Sequence, residues 1–380
     1  MPLSIYKAFY PQTYSKVTKE TSEKSKERGK IMKIRIITIH GIPNFGSVFQ
    51  CYALIKFLEK EGFNDVKVID YNPPYYNRKT LRAIIGKILN FKHYIKRTKK
   101  FRSFIECNLP LTEKSFCNLN ELKEYDFSAD VYIAGGDQLW NVYHACGSDD
   151  AYKLTWALGK KLSYGTSLGQ TDFSAEQISE LANKIRDFAA VSVRESSSVK
   201  MLEQQNITAV HCVDPVYLLN PSDYNVFLKP INQPKYLLVY LVTPSDLLNR
   251  CIEYLSEKHN LKVILCSGFS KKCRCDEFLK DLGPDEILSY IKNAEIILSS
   301  SFHATSFSMI FEKQFFTILP DEHTNERITD ILTIRGLLNR IITDKSDIET
   351  ALNKIIDYSS LPGYETNIHN SKEYLRTNLK

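Results

Sequence analysis

From Met32 onward, apolar runs of strand length alternate with segments whose apolar residues recur at helical spacing, and the strand-like runs end in glycines or polar loops. That order implies parallel sheets covered by helices on both faces. Ile34–Ile39 reads as the first strand. It leads through Gly41-Ile-Pro-Asn-Phe-Gly46 into a helix on which Val48, Cys51, Tyr52, Ile55 and Leu58 line up, with Gly62 as its stop. Val66–Tyr71, Val131–Ala134, Leu162–Ser167, Val191–Val193 and Ala209–Val213 read as further strands, with helices around 175–188 and 196–205. A second unit repeats the pattern, with strands at Tyr236–Val242, Lys262–Cys266, Glu295–Ser299 and Phe315–Leu319. Its helices are expected near 245–259, 285–293, 304–312 and 325–338. Between the two units Pro215, Pro221, Pro230 and Pro234 read as a linker.

A chain of 380 residues exceeds what one hydrophobic core usually holds. The expectation is an α/β protein of two Rossmann-like domains, 32–220 and 221–345, whose parallel sheets face a central cleft, followed by a helical tail over 346–380. Residues 1–31 differ. Lys16 to Lys30 is rich in Lys, Glu, Ser and Thr and has little to bury, so it reads as a flexible extension, with Met32 a candidate native start.

Composition bears mainly on what the chain is not. No apolar run approaches the ~20 residues of a membrane-spanning helix, and the N-terminus lacks the apolar stretch of a secretory signal. Nine cysteines without a paired framework fit a reducing cytoplasm. A net charge of +6 is too weak for a dedicated nucleic-acid binder but suits anionic ligands. Cys273-Arg-Cys275 has no second Cys/His pair at structural-zinc spacing, so no metal is expected.

In open parallel sheets ligands bind beyond the carboxyl ends of the strands, so the post-strand loops are where chemistry is expected. Four are unusually polar. Asn44-Phe-Gly-Ser47 enters a helix, where free amides suit an anion, although taken alone a plain strand-to-helix turn fits it better. Gly135-Gly-Asp-Gln-Leu-Trp-Asn141 sets hydrogen-bonding groups beside an indole. That mixture suits a sugar, and it also suits an N-cap at Asp137 with a packed Trp140. In Ser192-Val-Arg-Glu195, Arg194 is either a bidentate anion clamp or half of a surface pair with Glu195. Ser299-Ser-Ser-Phe-His-Ala-Thr-Ser306 places His303 among hydroxyls at a helix start, in a catalytic or a capping role.

A fifth feature is basic. Over 78–102, Arg78, Lys79, Arg82, Lys87, Lys92, Lys96, Arg97, Lys99, Lys100 and Arg102 interleave with apolar residues. The stretch reads as an amphipathic helix, either packed on the core or docked on an anionic membrane surface.

Taken in order, these loops resemble the polysaccharide pyruvyl transferase family. The matching text is Asn44-Phe-Gly-Ser-Val-Phe-Gln-Cys-Tyr-Ala-Leu54, Val68-Ile-Asp-Tyr71, Gly136-Asp-Gln-Leu-Trp-Asn141, Lys161-Leu-Ser-Tyr-Gly-Thr-Ser-Leu-Gly169, Ser192-Val-Arg-Glu195, Asp214-Pro215 and Ser301-Phe-His-Ala-Thr305. It departs from the family pattern at Ser299-Ser300-Ser301, more often Thr-Asp-Ser, and at Ala304, usually Gly. The resemblance implies a GT-B-like fold and transfer of a pyruvyl group from phosphoenolpyruvate, with no cofactor, to two hydroxyls of a sugar in a surface-polysaccharide precursor, free or lipid-linked. The product is a cyclic ketal. It implies His303 as general acid, with Asp137 a candidate base, and a donor site at Arg194, Ser301, Thr305, Asn44, Gly46 and Ser47. Gln138, Trp140 and Asn141 would face the acceptor. The protein would then be cytoplasmic, with the basic helix permitting a peripheral position at the inner face of the membrane. Two other readings share the fold: a glycosyltransferase using a nucleotide sugar, and a non-catalytic sugar-binding protein.

Overall fold

A computed structural model describes residues 31–77, 88–169, 171–240, 244–266, 268, 271, 273–319, 326–343 and 347–380. The N-terminal extension up to residue 30 and the first part of the basic segment, 78–87, lie outside the described residues.

The N-terminal sheet contains β1 (Lys33–Ile37), β2 (Asp65–Tyr71), β3 (Leu111–Phe116), β4 (Val131–Gly135) and β5 (Lys160–Tyr164), in the order β3-β2-β1-β4-β5. β6 (Val191–Val193) and β7 (Ala209–His211) pair with each other, and bridges from Leu162 to Ala190 and from Thr166 to Val193 tie them to the strand β5 side. The C-terminal sheet orders β8 (Tyr236–Tyr240), β9 (Lys262–Cys266), β10 (Glu277–Leu279), β11 (Ile296–Ser299), β12 (Gln314–Ile318) and β13 (Ile341–Ile342) as β10-β9-β8-β11-β12-β13. All these strand pairings are parallel. Central strands such as β4 and β11 are buried at every residue, which is why they read as uninterrupted apolar runs. The strands missing from the sequence reading, β3, β10 and β13, are short or polar edge strands that need no such run.

The helices are α1 (Phe45–Lys60), α2 (Phe91–Asn108), α3 (Leu119–Lys123), α4 (Ala175–Ile185), α5 (Ser196–Glu203), α6 (Asp246–His259), α7 (Pro284–Asn293), α8 (Phe302–Ile310), α9 (Glu326–Ile334), α10 (Ile348–Leu352) and α11 (Glu365–Leu379). Two of them bury every side of their first two turns. In α1 even Ser47 and Gln50 are fully buried, and α8 has no exposed residue at all. A helix buried all round must be held between other elements. The reason is aromatic: Phe49 of α1 meets Phe104, Tyr224, Phe227 and Phe307 at ring-centroid distances of 5.2, 6.0, 5.4 and 5.4 Å. One hydrophobic core therefore runs from the first sheet into the second, and residues Met32–Lys380 form one compact unit.

The proline-rich segment shares that core. Pro215 and Pro221 open tight helical turns at Pro215–Tyr217 and Pro221–Phe227, where Val216, Tyr217, Tyr224 and Phe227 are buried. The Tyr224 hydroxyl donates to the Val216 carbonyl at 2.8 Å, so this linker is a packed buckle between the sheets. The C-terminal helix α11 crosses back to the N-terminal sheet. Tyr374 donates to the Ser163 carbonyl at 2.9 Å, and Arg376 makes two bonds of 2.7 and 2.6 Å to Glu61.

Helix α2 is amphipathic only in part. It buries Phe101, Phe104 and Ile105, while Lys96 and Lys100 reach Asp281 and Glu286 beside the start of α7, at 3.2 and 2.5 Å. Just before and within its first turns, Ile88, Leu89, Phe91 and Ile95 are exposed.

Candidate active site

The four polar loops converge where the start of α1 abuts the start of α8. Asn44 caps α1, its side chain accepting from the Gly46 amide at 3.0 Å, and Ser301 caps α8 by accepting from the Ala304 amide at 3.4 Å. Gly46 faces His303 so closely that a Cβ there would lie 2.0 Å from His303 Nδ1, so only glycine lets the two helix starts touch. The imidazole sits edge-on to Phe45 and Phe302, with centroids 6.3 and 5.1 Å away, and is 6% exposed.

Next to Gly46, the Ser47 hydroxyl donates to Asp137 Oδ2 at 2.6 Å, while Asp137 Oδ1 accepts from the Gln138 amide at 2.8 Å. The Arg194 guanidinium, from the end of β6, donates through Nη1 to the Gly136 carbonyl at 3.2 Å and to Asp214 Oδ2. His303 Nε2 lies 3.6 Å from that same oxygen, an ionic contact too long for a hydrogen bond. Burial alone would raise the Asp214 carboxyl, but the Arg194 charge, the imidazole and the Val216 amide outweigh it and hold it below the usual range.

Arg194 also stacks on Phe302, its Cζ 4.6 Å from the ring centroid. Arg327, in the first turn of α9, approaches the same ring at 5.6 Å. Burial, with the Arg194 charge adding to it, draws Arg327 down to about 10. In the amide orientation its neighbours require, Gln138 accepts from Arg327 Nε and Nη2 at 3.1 and 2.8 Å and donates to His144 Nε2 at 3.2 Å. Burial and the nearby Arg327 charge hold His144 below the ordinary histidine range, which suits a neutral ring accepting that bond.

Several residues expected at the site take structural posts. Trp140 is fully buried, donates from Nε1 to the Tyr152 carbonyl at 3.1 Å and packs edge-on to Phe188, so its indole face is not offered to a sugar. Thr305 points under its helix, with its hydroxyl 3.0 Å from that of Thr317. Asn141 is 1% exposed and accepts from the Tyr143 amide at 3.0 Å. Glu195 forms no surface pair. It is fully buried, accepts from the Ser167 and Ser198 hydroxyls and the Leu168 amide, and so anchors the loop after β5.

Sequence reasoning did not single out Arg327 and gave Asp214 no role at the site. The signal for Asp214 is its place a few residues after β7, in the Asp214-Pro215 step that carries part of the family resemblance.

Three polar atoms at this point are buried and lack a hydrogen-bond partner among the described residues: Arg194 Nε, Arg194 Nη2 and His303 Nε2. Two guanidiniums over one ring, beside a helix start, form a surface for an anion, or for two anionic groups of one ligand. The imidazole next to them is a group able to move a proton.

The sequence model of the polysaccharide pyruvyl transferase family matches residues 44–322. A comparison with curated proteins finds no significant match. Among solved structures, the UDP-GlcNAc 2-epimerase of Methanocaldococcus jannaschii superposes with a TM-score of 0.56 at 15% identity, over 91% of this chain and 99% of that one. The UDP-N-acetylglucosamine 2-epimerase of Rickettsia bellii gives 0.54 at 13%, over 92% and 96%. The Neisseria meningitidis UDP-GlcNAc 2-epimerase, solved with UDP-GlcNAc bound, gives 0.52 at 11%, over 92% and 99%. At such identities the likeness is one of fold, the GT-B arrangement of two Rossmann-like domains.

Proposed function

The chain belongs to the polysaccharide pyruvyl transferase family, and from that premise we propose that it moves the pyruvyl group of phosphoenolpyruvate onto two hydroxyls of a saccharide, closing a cyclic ketal on a surface-polysaccharide precursor. The observation that carries this reading is the pair Arg194 and Arg327 on Phe302, beside His303, whose Nε2 faces Asp214 at 3.6 Å without a hydrogen bond. The donor's phosphate and carboxylate need two cationic contacts at fixed separation, and guanidiniums supply them.

In the proposed reaction His303 gives a proton to the donor's methylene carbon, which becomes a methyl group and leaves C2 electrophilic. One sugar hydroxyl attacks C2, the bond from C2 to the phosphate oxygen breaks, and the second hydroxyl closes the ring. Two hydroxyl protons are released. One restores His303 and the other leaves with phosphate. Asp137, already the acceptor for Ser47, is the base proposed for a hydroxyl proton.

The competing reading is a nucleotide-sugar enzyme, favoured by UDP-GlcNAc in the neighbouring folds. Thermal shift with phosphoenolpyruvate, UDP-GlcNAc and free saccharides separates the readings. At ~100 times its dissociation constant the true donor adds about 2.7 kcal/mol of stability. A shift with UDP-GlcNAc and none with phosphoenolpyruvate would overturn the proposal. Binding of saccharides alone, without phosphate release, would mark a non-catalytic protein.

We also propose that Ile88, Leu89, Phe91 and Ile95, flanked by exposed Lys92 and Lys99, touch an anionic membrane surface. No described helix is long and apolar enough to cross a membrane. Salt-sensitive binding to anionic vesicles, weakened by Phe91→Glu, supports this contact, whereas equal binding to neutral vesicles rejects it.

A further inference from the structure

A cavity of about 320 Å³, apart from the candidate active site, lies at the carboxyl ends of β1 and β2, between the N-terminal sheet and α2. Its polar floor is a fixed carboxylate. His40 is 1% exposed and faces the Thr38 carbonyl through Nδ1 and Asp70 Oδ1 through Nε2, both at 3.1 Å. Asn72 donates to the same Oδ1 at 2.6 Å, and it packs so tightly on Gly41 that a Cβ there would lie 2.0 Å from its Oδ1. Both of these bonds fall on Oδ1, and the Ser115 hydroxyl adds a further contact to the carboxylate; a ligand hydroxyl would be received at Oδ2. The opposite wall is apolar, built from Phe101, Ile105 and Leu111.

The charges select the ligand class. Asp70 and Glu106 both line the cavity, and its Arg102 is engaged by Glu106 at 2.7 Å. A phosphate or carboxylate would meet two like charges there, so a neutral polyhydroxylated ligand fits better. A flat C–H face against the apolar wall and a pair of hydroxyls on a carboxylate describe a pyranose ring. The volume lies near the small end of the ~300–1,000 Å³ of ordinary ligand sites.

Its position fits the reaction. Pro43 lines the cavity, and Gly46, three residues further on, touches His303. Three residues span at most ~11 Å, so the cavity wall at Pro43 lies within that distance of the residue that touches His303. Resting on the transferase reading above, we infer that this pocket is the saccharide-acceptor subsite, with Asp70 as the residue that binds sugar hydroxyls and His40 and Asn72 as residues that position its carboxylate. Asp70 then takes the acceptor role that the buried Trp140 cannot fill.

The test is titration of the whole protein with methyl glycosides of glucose, galactose, mannose and N-acetylglucosamine, followed by ligand-observed NMR, with phosphoenolpyruvate titrated in parallel. At least one glycoside should bind the wild type at millimolar concentration. Asp70→Asn should weaken it about tenfold to a hundredfold, the usual cost of losing a hydrogen bond to a charged group. Thr98→Trp fills the cavity from an exposed helical position and should abolish binding with the melting temperature unchanged. Both variants should bind phosphoenolpyruvate as the wild type does, and His303→Gln should bind the glycoside normally. Failure of every glycoside to bind, or unchanged affinity in Thr98→Trp, would overturn the inference. Glycoside binding lost in both variants, in a wild type that ignores phosphoenolpyruvate, would uphold the pocket and sink the donor reading instead.

Discussion

Two helix starts face each other across the site, and they are used differently. The start of α1 is committed to structure: Asn44 holds the Gly46 amide, Ser47 holds Asp137, and Gln50 donates to Thr38 Oγ1 at 2.9 Å. The start of α8 carries a longer cap of 3.4 Å and an imidazole whose Nε2 has no hydrogen-bond partner among the described residues. An unsatisfied buried polar atom costs about 1–3 kcal/mol, and a fold tolerates that where a ligand completes the bond. The start of α1 thus supplies a fixed frame, and the start of α8 presents a reactive group to it.

The contrast breaks most directly at His303. His303→Gln keeps the size and a hydrogen-bonding end but removes the proton donor, so single-turnover phosphate release should fall ~10²- to 10⁴-fold with the melting temperature nearly unchanged. Gly46→Ala removes no chemical group and should still cost about 10²-fold, because its Cβ must displace the imidazole. Near-wild-type turnover in His303→Gln would make the histidine a packing residue. Full activity in Gly46→Ala would show that the contact between the helix starts is immaterial.

Much of this arrangement is legible from residues alone, and the exceptions share a cause. The strand-loop-helix order and the four loops follow from local pattern, since a buried parallel strand must be apolar and must end before polar groups appear. Whether Trp140 faces a ligand or Tyr152, and whether Thr305 faces the cleft or Thr317, depends on which wall lies behind the loop. That is a tertiary fact with no local trace. Arg327 is hidden for the same reason, since its neighbours in sequence do not tell that Phe302 and Arg194 lie beside it. Pro215 and Pro221 mark real turns, but the aromatic residues that follow each of them, Tyr217, Tyr224 and Phe227, are the better guide to a packed buckle.

The frame itself is sharpened by Asp214→Asn. This removes the nearer of the two buried carboxylates that face Arg194 and leaves only Glu195, 4.0 Å from its Nε, so stability at neutral pH should fall by about 3 kcal/mol in urea unfolding. The pH dependence has a definite sign. The folded carboxyl lies below its unfolded value, near 3.9, so its contribution is present above that value and fades as pH falls through the folded one. Below about pH 4, the wild type should therefore lose stability faster than Asp214→Asn, by up to ~1.4 kcal/mol per pH unit. Parallel curves would mean that Asp214 does not carry the pairing.

The smallest expected effect concerns the loop that joins the frame to its carboxylate. Trp140 hangs from the Tyr152 carbonyl by one hydrogen bond and packs on Phe188, while Asp137 three residues earlier holds Ser47. Trp140→Phe keeps an aromatic ring in the core but removes the indole N–H and part of the ring volume. The lost bond costs about 1 kcal/mol, and the cavity left behind adds to that. If the residue only anchors the loop, the urea midpoint should drop by that amount while the acceptor KM stays within about twofold and kcat changes little. A selective rise in acceptor KM with the midpoint unchanged would instead give the indole a place against the sugar. That would move the acceptor contact from Asp70 to the loop after β4 and make that loop part of the reactive surface instead of the frame.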